Sequence, residues 1–237
     1  MNEAARIGVL GGTLDPIHLG HIDAALAARE ALRLDAVIII PAHVPPHRSR
    51  PATSPFHRFA MAALAVNAVD GLSVSDMELM APGPSYTADT LLRFHEERGT
   101  KPSQTFFITG ADAFAEIETW SRYPDVLDMA NFVVVSRPGM SLATLRARLP
   151  ALRDRMRLPL STRSTAPMPP SGTIVFLVDA PTADVSSTDI RRRIAEGVPL
   201  AGLVPPAVEH HIRQHGLYQQ GTSSSSGAEH LHGQNRA

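Results

Sequence analysis

The chain has 237 residues, 43% of them hydrophobic and 19% charged, which is typical of a globular protein with a substantial buried core. Its formal net charge of -1 at pH 7 excludes a strong overall basic field, so we expect binding neither to nucleic acid nor to a membrane surface. The absence of cysteine excludes disulfides, thiolate metal ligands and a thiol nucleophile, and the N-terminal residues do not resemble a signal peptide, so we expect a cytoplasmic protein.

Short apolar runs along the chain predict buried strands. They are rich in β-branched and aromatic residues and lack strict alternation, as expected for parallel strands covered on both faces. In chain order these runs are RIGVL (6–10), AVIIIP (36–41), TFFITG (105–110), NFVVVSR (131–137) and TIVFLVD (173–179).

Helical patterns lie between these strands. Apolar positions recur at helical spacing over residues 19–33, and Ser54 followed by Pro55 predicts the start of a helix that runs to about Asn67. A third amphipathic pattern runs from Tyr86 to Arg98, where Gly99 follows as a typical helix end. Strands alternating with helices predict an α/β fold with a Rossmann-like, doubly wound parallel sheet, in which ligands bind at the carboxyl ends of the strands.

The pattern predicts one domain over residues 1–218. Residues 138–172 are less regular: a helical piece at 142–156 is followed by STRSTAPMPPSG, which is typical of an exposed loop or insertion. Residues 219–237 are rich in serine and glycine and are expected to form a disordered tail.

The string GGTLDPIHLGH (11–21) follows the first predicted strand and indicates a phosphate-binding loop. Gly11 and Gly12 allow backbone N–H groups to approach a ligand closely, and the N-terminus of the following helix favours an anion. His18 and His21 are three residues apart and share a helix face. Bound phosphate would raise the pKa of both imidazoles.

A second phosphate-type string, SSTDIRRR (186–193), follows the last predicted strand. Here Ser186 or Ser187 would cap a helix, Thr188 would add a hydroxyl, and Arg191 would offer a planar set of donors to phosphate. The alternative is that Ser186 and Asp189 form only a capping box and that Arg191 belongs to a solvated cationic face. We interpret the two arginines after Arg191 as part of such a solvated face.

Both strings resemble signatures of the HxGH nucleotidyltransferases. The first matches GGxFxPxHxGH except at Leu14, where phenylalanine is commoner, and the second is similar to the ISSTxIR element. The resemblance implies ATP binding by Gly11, Gly12, Thr13, His18, His21, Ser187, Thr188 and Arg191.

Segments in the middle of the chain resemble the bacterial nicotinate mononucleotide adenylyltransferases: VPPHR (44–48), PSYTADTL (84–91), ITGADAF (108–114) and ETWSRYPDVL (118–127). This resemblance implies that Tyr86 and Thr87 offer backbone donors to the nicotinate carboxylate and that Trp120 stacks on the pyridine ring. It also implies that Asp112 binds a ribose, and that His47 and Arg48 add positive charge near the reacting phosphates.

The implied reaction joins ATP and nicotinate mononucleotide into nicotinate adenine dinucleotide and pyrophosphate. The attacking phosphate is already an anion, so catalysis would come from positioning and from charge neutralisation by His18, His21 and Arg191. We expect Mg²⁺ to arrive with ATP and predict no metal site of the protein's own.

Several alternatives stay open at the residue level. Asp112 would be only a helix N-cap, Trp120 a core residue, Thr87 a hydroxyl at a helix start, and His47 with Arg48 a surface turn. Other histidines have no evident ligand partners and are interpreted as structural: His57, His95, His210, His211 and His215.

At the level of function, the rivals are phosphopantetheine adenylyltransferase, a cytidylyltransferase and a nucleotide-binding domain without catalysis. The sequence leaves homo-oligomer formation undecided.

Overall fold

The computed structural model describes residues 5–46, 51–159 and 172–219. His47 and Arg48 lie outside the described residues, as do positions 160–171 of the irregular stretch and positions 220–237 of the predicted tail. Within the described ranges, no helix has the length and apolar character needed to cross a membrane.

The described strands form one open sheet in the order β3-β2-β1-β4-β5-β7-β6, and every strand pair is parallel. The strands are β1 (Ile7–Gly12), β2 (Ala36–Pro41), β3 (Leu72–Val74), β4 (Thr105–Gly110), β5 (Asn131–Val135), β6 (Met156–Arg157) and β7 (Val175–Val178). All of the predicted strands are confirmed. The two that were not predicted, β3 and β6, are short and lie at the two edges of the sheet.

Helices connect the strands and cover both faces of the sheet. They are α1 (Leu19–Leu32), α2 (Pro55–Val66), α3 (Thr87–Arg98), α4 (Ala111–Phe114), α5 (Leu142–Arg148), α6 (Ser187–Ala195) and α7 (Pro206–Gln214). As predicted, the Ser54 hydroxyl accepts a hydrogen bond from the His57 amide at the start of α2, and Gly99 ends α3 in the left-handed conformation. The helix expected over 142–156 is wrong in length, because Pro150 disfavours helical backbone at the residue before it and a 3₁₀ segment follows.

Two apolar cores lie on opposite faces of the sheet. One contains buried residues of α1, α2, α6 and α7, including Ile22, Met61, Ile190 and Ile212. The other contains buried residues of α3, α4 and α5, including Leu91, Phe114 and Leu145. Because both faces are covered, continuous apolar strands are the expected pattern, and the Rossmann-like α/β prediction is confirmed.

The order of the strands also locates the site. The chain builds β1, β2 and β3 outward in one direction and then returns to place β4 on the other side of β1. The loops after β1 and β4 therefore leave the sheet on opposite faces and open a crevice at their carboxyl ends, where ligands bind in folds of this kind.

Candidate active site

A cavity of about 580 Å³ opens at this crevice. Its walls come from the loop after β1, the ends of β4 and β5, and the first turns of α1, α3 and α6. Most of the predicted site residues within the described ranges line it: Gly11, Gly12, Thr13, His21, Tyr86, Thr87, Asp112, Trp120, Ser187 and Arg191. His18 and Thr188 are not among the lining residues.

Close neighbours explain why glycine occupies two positions of the first motif. A side chain at Gly20 would place its Cβ 3.1 Å from the carbonyl oxygen of Ala183 and 3.3 Å from the His18 ring. At Gly11 the added Cβ would lie 3.2 Å from the ring of Phe107. Leu14 is 2% exposed and has φ 51, so this departure from the family pattern packs inward. The loop is thus held tightly against the strand behind it.

The rings of His18 and His21 lie close together at the start of α1, with centroids 3.7 Å apart and ring planes tilted by 31°. The backbone N–H of His18 donates to Nδ1 of His21 over 3.2 Å. That nitrogen is therefore unprotonated, and a neutral His21 carries its proton on Nε2. His21 lines the cavity and can offer this proton to a ligand oxygen, while His18 lies behind it.

His18 is 2% exposed, and its Nδ1 has no hydrogen-bond partner among the described residues. Burial, helped by the positive charge of Arg137, lowers the pKa of His18 from 6.5 to about 3. The ring is therefore neutral near pH 7. A bound phosphate would act in the opposite direction, as the sequence argument predicts.

The second motif is hydrogen-bonded to the first. The Ser187 hydroxyl donates to the carbonyl of Pro16 over 2.9 Å, and Nη1 of Arg191 donates to the carbonyl of Asp15 over 2.7 Å. Nη2 of Arg191 donates to the exposed hydroxyl of Thr188 over 3.2 Å, so Thr188 supports Arg191 rather than lining the cavity. The two loops predicted to bind ATP therefore form one surface.

The helix-cap interpretation of this motif is also confirmed in part. The Ser186 hydroxyl accepts a hydrogen bond from the Asp189 amide over 3.1 Å. The Asp189 carboxylate bonds Arg193 and Arg192, which lower its pKa, and these two arginines occupy the solvated face as predicted. Arg191 alone of the three arginines lines the cavity.

The opposite wall of the cavity contains the start of α3. Tyr86 is the N-cap residue and Thr87 the first helical residue. The Tyr86 amide donates to the carbonyl of Pro84 over 3.2 Å. The N–H groups that helix geometry leaves for a ligand therefore begin at Thr87.

Trp120 both packs against core aromatic rings and lines the cavity. It packs nearly perpendicular to Phe107, at 6.1 Å between ring centroids, and edge-on to Phe132, at 6.3 Å. It is half-buried and lines the cavity, so these contacts fix the indole while leaving part of it available to a ligand.

The N-cap alternative for Asp112 is wrong. Gly110 is the N-cap of α4, and Asp112 is the second residue of the helix. A Cβ at Gly110 would lie 2.4 Å from Oδ1 of Asp112, so glycine makes room for this carboxylate. Oδ2 of Asp112 lies 3.6 Å from Nη1 of Arg137, and both residues line the cavity.

Sequence reasoning missed Arg137, Arg58 and Asp15. Arg137 lies two residues after the end of β5, and a cation at the carboxyl end of a central strand was a usable signal. Arg58 is completely buried and donates to three backbone carbonyls: to Thr13 over 2.7 Å, to Ala42 over 2.5 Å and to His43 over 2.9 Å. It thereby joins the loops that follow β1 and β2.

Asp15 accepts three hydrogen bonds within the phosphate-loop motif. The donors are the Ala52 amide, the Thr53 hydroxyl and the Tyr218 hydroxyl, each at 2.7 Å. Burial, reinforced by the Asp15 carboxylate, raises the pKa of Tyr218. This hydroxyl therefore keeps its proton and remains a donor, which ties the C-terminal segment to the loop.

Comparison with known proteins agrees with this geometry. The cytidylyltransferase-like family matches residues 9–193. Two relatives, from Thermoanaerobacter sp. (strain X514) and Roseiflexus sp. (strain RS-1), carry the name "Probable nicotinate-nucleotide adenylyltransferase". The first is 38% identical over 93% of this chain and 97% of its own length, and the second 41% identical over 92% and 100%.

A solved structure, Plasmodium falciparum nicotinic acid mononucleotide adenylyltransferase complexed with NaAD, has a TM-score of 0.67. It covers 90% of this chain and 97% of its own at 16% sequence identity, and so supports the fold alone. The family match and the two relatives reach further than the fold: this chain belongs to the cytidylyltransferase-like family, within its group of nicotinate-nucleotide adenylyltransferases.

Proposed function

We propose that this chain transfers the adenylyl group of ATP to nicotinate mononucleotide, releasing pyrophosphate and forming nicotinate adenine dinucleotide. One observation carries the proposal: the two phosphate motifs and the segments after β4 and before α3 open into a single cavity. Two relatives named for this activity match nearly the whole chain at about 40% identity. The function therefore belongs to the biosynthesis of NAD.

On the ATP side, the triphosphate would lie on the loop after β1 and at the N-terminus of α1. Gly11, Gly12 and Thr13 form the floor, and the helix N-terminus favours anionic oxygens. His21 would donate from Nε2, and Arg191 would add a fixed positive charge. Ser187 and Thr188 act by holding α6 and Arg191 against the loop.

His18 lies behind His21 and would act on the same phosphate oxygens through the charge of its ring. Its buried ring is neutral without ligand and has an unpartnered Nδ1. An approaching phosphate would favour the charged form of this ring. The positive charge would then stabilise the negative charge that develops as the bond to pyrophosphate breaks.

On the acceptor side, Trp120 would stack on the pyridine ring, since a flat indole held by its edges offers a suitable face. The first-turn amides of α3 from Thr87 onward would receive the nicotinate carboxylate. An amide in its place would present N–H groups to N–H donors, which favours the acid over the nicotinamide nucleotide. We assign Asp112 and Tyr86, which both line the cavity, to the remainder of the mononucleotide.

The reaction needs no general base. A phosphate oxygen of nicotinate mononucleotide attacks the α-phosphorus of ATP, a new P–O bond forms, and the electron pair of the broken bond leaves with pyrophosphate. No proton has to move, so the protein contributes in-line positioning and positive charge. His18, His21 and Arg191 are the groups we assign to this role.

We expect the nucleotide substrate to be MgATP. The carboxylates near the cavity already have protein partners: Asp15 accepts three hydrogen bonds, Asp112 lies beside Arg137, and Glu78 pairs with Arg93. The triphosphate itself then supplies the cation's main ligands. His47 and Arg48, proposed from the sequence alone, would add charge from the segment between β2 and α2.

The experiment is pyrophosphate release by the purified chain with MgATP and one acceptor at a time. Nicotinate mononucleotide should be the preferred acceptor, nicotinamide mononucleotide a poorer one and phosphopantetheine inactive. Release with phosphopantetheine alone would keep the ATP site and overturn the acceptor assignment. No release with any acceptor would overturn the proposed activity.

A further inference from the structure

A group of three histidines lies outside the cavity, between α2 and α7. His57 is in the first turn of α2, His211 is on α7, and His215 is the C-cap residue of α7, four positions after His211. Nδ1 of His57 lies 3.1 Å from Nε2 of His211, and one ligand nitrogen from each of the three rings lies within 4.8 Å of the others. The expectation that these histidines lack ligand partners is therefore wrong.

The arrangement follows from local structure. The His215 amide donates to the His211 carbonyl over 3.1 Å, so the C-cap continues the last helical turn and the two histidines lie on one side of α7, toward α2. Their ring centroids are 4.4 Å apart, and His57 lies 5.3 Å and 4.9 Å from the two. By contrast, His95 is satisfied structurally, since its ring nitrogens contact the Thr100 hydroxyl and the Met129 carbonyl.

The spacing suits a borderline divalent transition ion. Zn²⁺ binds imidazole nitrogen at about 2.0–2.1 Å in tetrahedral geometry, which sets neighbouring ligand nitrogens about 3.3 Å apart. His57 and His211 share a hydrogen bond over 3.1 Å between these nitrogens, which is close to that edge, and an ion would take the place of the proton between them. His215 is exposed and can adjust its ring to complete a third position, with the fourth left to water. This is also the only group of three or more His, Cys, Asp or Glu side chains at metal-ligand distance in ranges 5–46, 51–159 and 172–219.

We infer that His57, His211 and His215 form a binding site for one divalent ion of the Zn²⁺, Co²⁺ or Ni²⁺ class, which clips α2 to α7. Ala52 and Thr53 precede α2 and bond Asp15, and Tyr218, beyond α7, bonds the same carboxylate. The ion thus joins the two segments that brace the phosphate loop. The proposal does not depend on the reaction assigned to the cavity.

The test is Co²⁺ binding to the full chain without an affinity tag, after removal of metal with a chelator. Co²⁺ is followed by its visible absorption, which becomes intense in tetrahedral coordination, and Zn²⁺ is followed by calorimetry. We expect about one ion per chain, displacement of Co²⁺ by Zn²⁺ and a higher Tm. His215→Ala should lose at least about tenfold in affinity, because one of three protein ligands is removed. His57→Ala should lose a comparable amount.

Two matched controls separate this site from other histidines. His210→Ala removes an exposed imidazole next to the site on the same helix, and a double variant, His230→Ala with His232→Ala, removes those beyond residue 219. Both should bind the ion as the unchanged chain does. Unaltered binding in His57→Ala and His215→Ala, or loss in the double variant instead, would overturn the proposal. Circular dichroism checks that each variant folds.

Discussion

His18 shows how the burial of a single residue links folding to protonation. The unfolded chain accepts a proton on this ring with a pKa near 6.5, whereas the folded protein resists protonation until about pH 3. Below pH 6.5 the unfolded state therefore binds more protons, so this ring contributes a loss of stability as pH falls. At and above neutral pH the ring is neutral in both states, so it causes no such loss of stability.

We predict that His18→Asn will flatten the acid side of the stability profile. Between about pH 7 and about pH 5, the free energy of unfolding of the unchanged protein should fall by about 2 kcal/mol more than that of the variant. Urea unfolding of both proteins without ligand measures this difference. Parallel profiles would show that His18 is not held neutral in the folded state.

For His21 the prediction concerns catalysis. Removing a preorganised donor at the reacting phosphates with His21→Ala should lower kcat by about 100-fold while the protein stays folded. Pyrophosphate release with saturating MgATP and nicotinate mononucleotide measures kcat. His210→Ala is the control for loss of an imidazole and should keep the full rate. A variant of His21 with near-normal turnover would remove this residue from the mechanism.

At the scale of single residues, the sequence predicted most of the residues that line the cavity where a motif contains them, and it missed those outside a motif. His21 and Arg191 lie in strings whose spacing has a chemical reason. Arg58 lies in an amphipathic helix, where an arginine ordinarily faces solvent. Its burial depends on two loops that converge only in three dimensions, so no local pattern reveals it.

At the scale of elements, α2 is important because Arg58 attaches it to the loops after β1 and β2. Arg58→Met keeps much of the volume but leaves the carbonyls of Thr13, Ala42 and His43 without their donor. Buried carbonyls that lose hydrogen bonds are costly, so the free energy of unfolding should fall by about 3 kcal/mol.

Chemical denaturation of this variant at neutral pH tests the prediction. Arg98→Met, on the exposed last turn of α3, is the matched control and should change stability by less than about 0.5 kcal/mol. Equal stability of Arg58→Met and the unchanged chain would contradict the proposed role of the buried guanidinium in joining the loops.

Element prediction succeeded where burial is continuous. A strand covered on both faces, such as AVIIIP, must be apolar throughout, and its bounds match β2. Strands β3 and β6 have only three and two residues at the sheet edges, where one neighbour is missing and little apolar surface is required. Runs this short carry no periodic signal.

At the scale of the whole molecule, the sequence could not give the order of the strands, because parallel pairing joins segments far apart in the chain. The resemblance supplied the expectation of two substrates, and the observed strand order brings the segments proposed to bind them to one cavity. The loops after β1 and β7 line one side of this cavity, which we assign to ATP, whereas the segments after β4 and before α3 line the side that we assign to the acceptor.

This division of the cavity predicts that separate substitutions can weaken the binding of each ligand without affecting the binding of the other. Arg191→Met should weaken MgATP binding by about tenfold and leave nicotinate mononucleotide binding unchanged, because one charge-assisted contact is worth about 1.5–3 kcal/mol. Trp120→Leu should do the reverse, since loss of aromatic stacking on a base costs about 1–3 kcal/mol. Trp120→Phe retains a ring and should recover most of the affinity. Calorimetric titration of each ligand separately into the unchanged chain and into each variant measures these affinities. If either variant weakened both ligands alike, the cavity would act as one shared subsite, and the assignment of its two walls to two substrates would be wrong.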